Sequence, residues 1–171
     1  MTGSTIRPSR NLKILLGGLL LLAAGTSLPS HAAADARVSA ESTADQAMDR
    51  RLDQLFGHHQ DYRSFFEHFR QAVLAGDQTK VASLMHYPIT VHLEGKRWTL
   101  YNVKEFTDVY AHIMTPRLIE VVRHQVYADL FANDQGVMLG QGVIWFSGIC
   151  EDAECEQMPL RVVALNLPAG H

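Results

Sequence analysis

The chain between Asp61 and Gly76 repeats apolar residues at a helical period. Residues that recur at i, i+3 and i+4 form a stripe along one side of a helix, and such a stripe packs against a core. Asp61 is expected to cap this helix and Gly76 to end it. The stripe consists of Tyr62, Phe65, Phe66, Phe69, Ala72 and Val73.

Further helices are predicted on both sides of this stripe. One runs from Thr43 to Phe56, and a shorter one follows Asp77 as its cap and must end before Pro88. The first presents Met48, Leu52 and Leu55 on one face, and the short one carries Val81, Leu84 and Met85.

The period changes to two at Ile89, where apolar and polar residues alternate as in a half-buried strand. Glu94-Gly95 suits a turn, after which Trp98 to Tyr101 can return as a second strand. Asn102 and Glu105 have the spacing of a capping box, and Thr115-Pro116 is a cap followed by proline at the first helical position. Two more helices are therefore expected; the apolar face of the first consists of Phe106, Val109, Tyr110 and Ile113.

Three longer strands are predicted at the end of the chain, over residues 124–131, 137–146 and 160–167. A turn at Asn133 to Gly136 separates the first two. Gly140 and Gly142 fall inside the second strand, where paired glycines indicate a bend or a bulge. The predicted fold is α+β, with N-terminal helices packed on a curved, mostly antiparallel sheet that forms a cone. The expected core residues are Phe65, Phe66, Phe69, Leu84, Val109, Ile113, Val143 and Val163.

The N-terminus has the order of features found in a secretory signal peptide. Arg7, Arg10 and Lys13 precede an apolar run from Ile14, and small residues near Ala32 offer a cleavage site. The apolar run is shorter than the ~20 residues that span a bilayer, and no cysteine lies directly after it to carry a lipid anchor. We therefore expect residues 1–32 to be removed on export to a bacterial periplasm or the medium, residues 33–42 to form a flexible leader, and residues 43–171 to form a single domain.

The charge of the exported chain, its two cysteines and its histidines indicate which partners, crosslinks and ligands to expect. All 18 acidic residues but only 12 of the 15 basic ones follow residue 32, so the exported chain carries a formal charge of −6 and no basic cluster for nucleic acid. Export into an oxidising compartment favours a disulfide between Cys150 and Cys155, whose spacing suits a hairpin end. Eight of the nine histidines also follow residue 32, but no His-Glu-x-x-His motif occurs, so we expect surface histidines and neither a metal nor a cofactor. Capture of zinc or copper by these histidines is the alternative.

This order of elements resembles the nuclear-transport-factor-2-like superfamily. The resemblance lies in Ala75-Gly76-Asp77 opening a helix, Tyr87-Pro88 leading into a short strand pair, the helix from Val103, and the final strands that include residues 140–146. It covers roughly residues 61–168. It implies a cone-shaped α+β fold, shared with ketosteroid isomerase and scytalone dehydratase, with a pocket between helices and sheet. The superfamily includes enzymes, ligand carriers and assembly modules, so the resemblance does not choose among functions.

Two sets of site residues follow from a pocket of this kind. The first is a ligand-binding set of aromatic residues and one cation near the glycine bend: Trp98, Tyr110, Tyr127, Trp145 and Arg161. For this set the alternative is that Trp98, Tyr110 and Trp145 are ordinary core residues and that Arg161 lies at the surface. The second is catalytic, with Asp129 as base and Tyr127 as hydrogen-bond donor to an oxyanion. The alternative is that Asp129 faces solvent while Val126, Ala128 and Leu130 face the core.

Three classes of function remain. We favour an exported, non-catalytic module that binds a small apolar molecule or another exported protein, because no catalytic motif is present. A homodimer through the sheet is a further arrangement of that class. The alternatives are a small isomerase or dehydratase that uses the cone pocket, and an inhibitor or immunity-type protein that blocks a partner enzyme.

Overall fold

The computed structural model describes residues 30–93 and 95–167, with side chains from Thr43 onward. The helices within these residues are α1 Ser30–Phe56, α2 His59–Ala75, α3 Gln78–Ser83, α4 Val103–Asp108, α5 Tyr110–Ile113 and α6 Pro116–His124. The strands are β1 Met85–Leu93, β2 Lys96–Leu100, β3 Phe131–Asn133, β4 Gly136–Leu139, β5 Ile144–Gly148 and β6 Leu160–Asn166. A 3-10 turn at Tyr127–Asp129 precedes β3.

The six described strands form one sheet in the order β2-β1-β6-β5-β4-β3. β1 and β6 run parallel, and every other pair of described neighbours is antiparallel. α2 buries its predicted apolar stripe in the core between the helices and the sheet. The predicted α+β class, with N-terminal helices on a mostly antiparallel, curved sheet, is therefore confirmed.

Local capping signals fix the helix ends that the sequence predicts. Gly76 ends α2 in the left-handed conformation at φ 67°, and the Asp77 side chain accepts a hydrogen bond from the Lys80 amide to start α3. Asn102 and Thr115 cap α4 and α6 in the same way. Asp61 is the exception: it lies in the first turn of α2 and does not cap the helix.

A residue of the preceding helix performs the capping at the start of α2. The Oδ1 atom of Asp53 accepts a hydrogen bond from the His59 amide at 2.8 Å. This bond, with a second from the His59 ring, lowers the pKa of the Asp53 carboxyl. The α1–α2 junction is thus closed by a contact between helices, which the spacing around Asp61 could not indicate.

The first helix begins earlier than the sequence predicts. α1 starts at Ser30, so residues 33–42, expected to form a flexible leader, are helical. The physical reason is that this stretch contains no glycine or proline and is rich in alanine, the residue with the highest helix propensity. The predicted signal peptide lies almost wholly in residues 1–29, outside the described residues.

Residues 124–131, predicted as a strand, have a different structure. α6 continues to His124, supported by an ion pair between Glu120 and Arg123 and by a hydrogen bond between Glu120 and the His124 ring. A 3-10 turn follows, in which Tyr127 is buried while Val126 is exposed. The alternation of residue types resembles that of a strand, and the alternative interpretation placed Val126 in the core, but the chain forms a 3-10 turn that buries Tyr127.

The predicted strand over residues 137–146 is two strands joined by a reversal. Gly140, Gln141 and Gly142 all have positive φ angles, of 62°, 58° and 96°. Three successive left-handed residues turn the chain back on itself, so β4 and β5 pair antiparallel. The two glycines therefore mark a hairpin turn, and the predicted bend or bulge within one strand is wrong.

The core prediction is correct for all its members except Val163. Phe65, Phe66, Phe69 and Ile113 are buried, and Leu84, Val109 and Val143 pack against the core from partly buried positions. In β6, Val162 pairs with Phe146 and Ala164 with Trp145, which leaves Val163 as the extra residue of a β-bulge. The bulge shifts the alternation, so Val162 and Leu165 point into the core instead.

Cys150 and Cys155 form the predicted disulfide, in the connection between β5 and β6. We expect replacement of both cysteines by serine to lower the free energy of unfolding by about 2 kcal/mol, because the bond closes only a short loop in the unfolded chain. Urea unfolding of the oxidised protein and the double variant measures this difference. Equal stability, or two free thiols in the oxidised wild type, would contradict the expectation.

Candidate functional site

An apolar cavity of about 690 Å³ lies at one end of the sheet. Its walls come from the paired strands β1 and β2 and from α5 and α6. Val143, just before β5, and Leu167, just after β6, complete the lining. Most of the lining side chains are aliphatic, including Val91, Leu100 and Ile113.

Strand register explains one wall of the cavity. Val91 of β1 is paired with Trp98 of β2, and Leu93 is paired with Lys96. Paired residues of antiparallel strands point to the same face, and alternate residues along each strand return to it. Val91, Leu93, Trp98 and Leu100 therefore form one continuous apolar surface, and all of them line the cavity.

The corner between α5 and α6 forms the opposite wall. α5 ends after Ile113, and the Thr115 hydroxyl restarts the chain as α6 by accepting a hydrogen bond from the Leu118 amide at 3.3 Å. This corner sets Ile113 and Leu118 along the apolar wall and leaves His112 and Arg117 on the cavity lining with exposed side chains. The cavity consequently has an apolar interior and a polar rim on this side.

Of the predicted ligand-binding residues, Trp98 alone lines this cavity. Its side chain is 51% exposed, so one part contacts the apolar wall and the rest faces solvent. Tyr110 is buried against Phe106, with ring centroids 6.1 Å apart, and burial raises the pKa of its hydroxyl. That hydroxyl has no hydrogen-bond partner within the described chain.

Trp145 and Arg161 lie away from the cavity. Trp145 is partly exposed between the buried residues Ile144 and Phe146, which places it on the outer face of the sheet. Arg161 lies near the disulfide end, where its Nη2 atom is 3.6 Å from Oε1 of Glu151. The prediction grouped them with Trp98 because they are an aromatic residue and a cation near the predicted bend at Gly140 and Gly142.

Tyr127 belongs to a polar network that ties the 3-10 turn to α1 and α2. Its hydroxyl donates to Asp49 Oδ1 at 2.8 Å, and the Arg63 guanidinium lies 4.4 Å from the centre of its ring. Arg63 also pairs with Asp45. Burial, reinforced by the bond to Asp49, raises the pKa of Tyr127 well above its usual range. These contacts hold the packing of three elements together.

The proposed catalytic pair of Asp129 and Tyr127 is not assembled as expected. The strand on which the two side chains were to share a face is a 3-10 turn, and the Tyr127 hydroxyl bonds to Asp49. Asp129 is exposed, as the alternative interpretation predicts, and Leu130 is buried. Val126 is exposed as well, so that alternative is correct only in part.

A second polar cluster lies at the α1–α2 junction. His59 Nδ1 is 2.8 Å from Asp53 Oδ2, and His59 Nε2 is 3.9 Å from Asp49 Oδ2. Among the side chains that the structure describes, in residues 43–93 and 95–167, no group of three or more histidine, cysteine, aspartate or glutamate residues is arranged to hold a metal ion. We interpret this cluster as a structural contact between the two helices.

Neither the described helices, as possible membrane spans, nor comparisons with known proteins indicate a function for this site. Among the described residues, no helix combines the length and the apolar character needed to cross a bilayer. No protein-family model, curated protein or solved structure matches the chain. The site must therefore be interpreted from its own geometry.

Sequence reasoning missed two polar residues of the cavity, His112 and Arg117. They lie on either side of the Thr115-Pro116 cap, which the sequence did reveal. A turn between two short helices exposes the side chains that flank it, and this could have drawn attention to both residues. Nothing local in the sequence, however, places that turn opposite β1 and β2.

Proposed function

We propose that this protein binds a small, predominantly apolar molecule in the cavity between the β1–β2 hairpin and the α5–α6 corner. The cavity of about 690 Å³ carries the proposal. Cavities that hold small molecules typically measure 300–1,000 Å³ and combine apolar walls with a few polar groups. Trp98 offers an aromatic surface at the rim of such a site.

The chemistry of the lining favours binding over catalysis. General acid–base catalysis at a carbonyl needs a base and a hydrogen-bond donor that can both reach the same substrate. None of the described residues that line the cavity is a carboxylate or a tyrosine, and His112 and Arg117 are its ionisable members. The isomerase or dehydratase hypothesis, with Asp129 and Tyr127, would require a site elsewhere.

Export and family membership belong to the same proposal. The disulfide fits an oxidising compartment, such as a periplasm. Three helices, a strand pair, further helices and a closing set of strands follow one another in the described chain. That order is the one on which the resemblance to the nuclear-transport-factor-2-like superfamily was based, and it supports that assignment as a proposal.

A neutral apolar dye tests the binding site without assuming any charge on the ligand. Nile red should gain fluorescence with the wild type, and Trp98→Ala should weaken its binding about tenfold, the equivalent of about 1.4 kcal/mol. Trp98 supplies aromatic contact area at the rim, which alanine removes. Fluorescence titration gives the two dissociation constants.

Trp145→Ala is the matched control, because it removes the same side chain from the outer face of the sheet. Its affinity for the dye should equal that of the wild type. If the wild type does not bind the dye, or if both tryptophan variants weaken it equally, the cavity is not the site and the proposed function is wrong.

A further inference from the structure

The described lining of the cavity includes one cation, Arg117, and one imidazole, His112, and no carboxylate. Arg117 and His112 both line it from the α5–α6 corner with exposed side chains. Neither side chain makes a hydrogen bond or an ion pair within the described part of the chain. By contrast, Arg123 on the same helix pairs with Glu120, and Arg161 pairs with Glu151.

A second cation, Lys96, lies beside the wall that β1 and β2 form, although it is not itself a lining residue. Lys96 is paired with Leu93, which lines the cavity, and it shares a face of β2 with Trp98 and Leu100. Lys96 is exposed and, like Arg117, has no side-chain partner among the residues that the structure describes. Positive groups from two separate elements therefore flank one apolar space.

This arrangement suits a ligand with an apolar body and one acidic group. The body can be buried against the aliphatic walls, while the acid stays at the rim and keeps contact with water. A guanidinium offers a planar pair of N–H donors that match a carboxylate. A neutral imidazole can also donate one hydrogen bond, so His112 can assist without being protonated.

We propose that the cavity selects amphipathic carboxylates, with Arg117 as the residue that holds the acidic group. This inference rests on the proposed function, since it specifies the ligand class of the same cavity. Lys96 adds to the positive potential beside the cavity, and His112 can donate a hydrogen bond to the same acidic group. The attraction acts at an exposed position, so its strength falls as salt rises.

Three ligands of equal chain length test this selectivity: decanoate, decanol and decylamine, used below the concentrations at which they form micelles. Each is titrated against wild-type protein carrying bound Nile red. We expect decanoate to displace the dye at an at least fivefold lower concentration than decanol, and decylamine to be the weakest. The advantage of decanoate should shrink when sodium chloride is raised.

Substitution of Arg117 should remove that advantage. In Arg117→Gln the preference for decanoate over decanol should fall below twofold, and in Arg117→Glu decylamine should become the strongest of the three. Arg123→Gln is the matched control on the same helix, and it should retain the wild-type order. Both Arg117 variants change an exposed side chain, and their folding is checked by circular dichroism and by urea unfolding.

The outcomes separate this inference from the proposal on which it rests. If Nile red and decanol bind but decanoate has no advantage, the cavity is a site for neutral molecules and the carboxylate inference is wrong. If the preference for decanoate survives Arg117→Gln, Arg117 does not hold the acid. If neither the dye nor any of the three ligands binds, the proposed function itself fails.

Discussion

Phe69→Ala is expected to destabilise the domain by about 3–5 kcal/mol, because it removes an aromatic ring from the centre of the core. Phe69 is 1% exposed and lies on the buried stripe of α2, with its ring 6.4 Å from that of Phe65. The loss combines the transfer of the ring to water with the cavity left behind. Urea unfolding at equilibrium, with constant slope, measures the change.

Phe131→Ala is the control for this prediction, because Phe131 is 48% exposed on the edge strand β3. It should cost less than about 1 kcal/mol, as surface substitutions usually do. A loss below about 1 kcal/mol for Phe69→Ala as well would mean that α2 does not present this face to the core.

Gly136→Ala should cost about 3 kcal/mol, for two reasons that act together. Gly136 has φ 140°, a backbone conformation that residues with side chains rarely adopt. A Cβ atom at this position would also lie 2.7 Å from the main-chain oxygen of Phe146, which belongs to the neighbouring strand β5. A backbone atom cannot move aside without disturbing the β4–β5 pairing.

Gly95→Ala separates the two contributions. Gly95 also has a positive φ, of 74°, but no atom lies within 4 Å of the position that its Cβ would occupy. This variant should therefore lose only the conformational part, about 1 kcal/mol. Thermal or urea unfolding of both variants tests the comparison, and equal losses would show that the close approach at Gly136 carries no energetic weight.

The helices could be predicted from the sequence because their signals are local. Asp77, Asn102 and Thr115 each cap a helix through a bond to an amide three residues later, and Gly76 ends one through its own backbone conformation. The stripe of α2 needs only a period within one segment. Such features depend on residues a few positions apart, which is the range that a sequence pattern reports.

The second half of the sheet could be predicted only in part, because its arrangement depends on contacts between distant residues. Val163 looks like a core residue until the pairing of β5 and β6 makes it the extra residue of a bulge. Likewise, Trp145 looks like a pocket residue until the turn at Gly140 assigns it to the outer face. The pairing of the strands decides to which face of the sheet each of these two side chains points.

The candidate site could likewise be predicted only where its residues have a local signal in the sequence. Trp98 could be anticipated because an aromatic residue in a short strand is conspicuous in the sequence. Arg117 could not, since its role depends on α6 lying opposite the β1–β2 hairpin. The sequence reveals the cap at Thr115 that begins α6, but the position of that helix in the domain is a tertiary property.

The sheet cannot be completed before β6 is available, because β6 lies in its middle. β6 is the last described strand in sequence, yet it lies between β1 and β5 and joins the β1–β2 hairpin to the β3–β4–β5 unit. Until residues 160–166 have been synthesised, these two units have no shared strand and the core between them stays open. Sheets that depend on such distant pairings form late and slowly. If the chain is exported as proposed, it can be threaded through a membrane pore as long as residues 160–166 have not yet joined the two units.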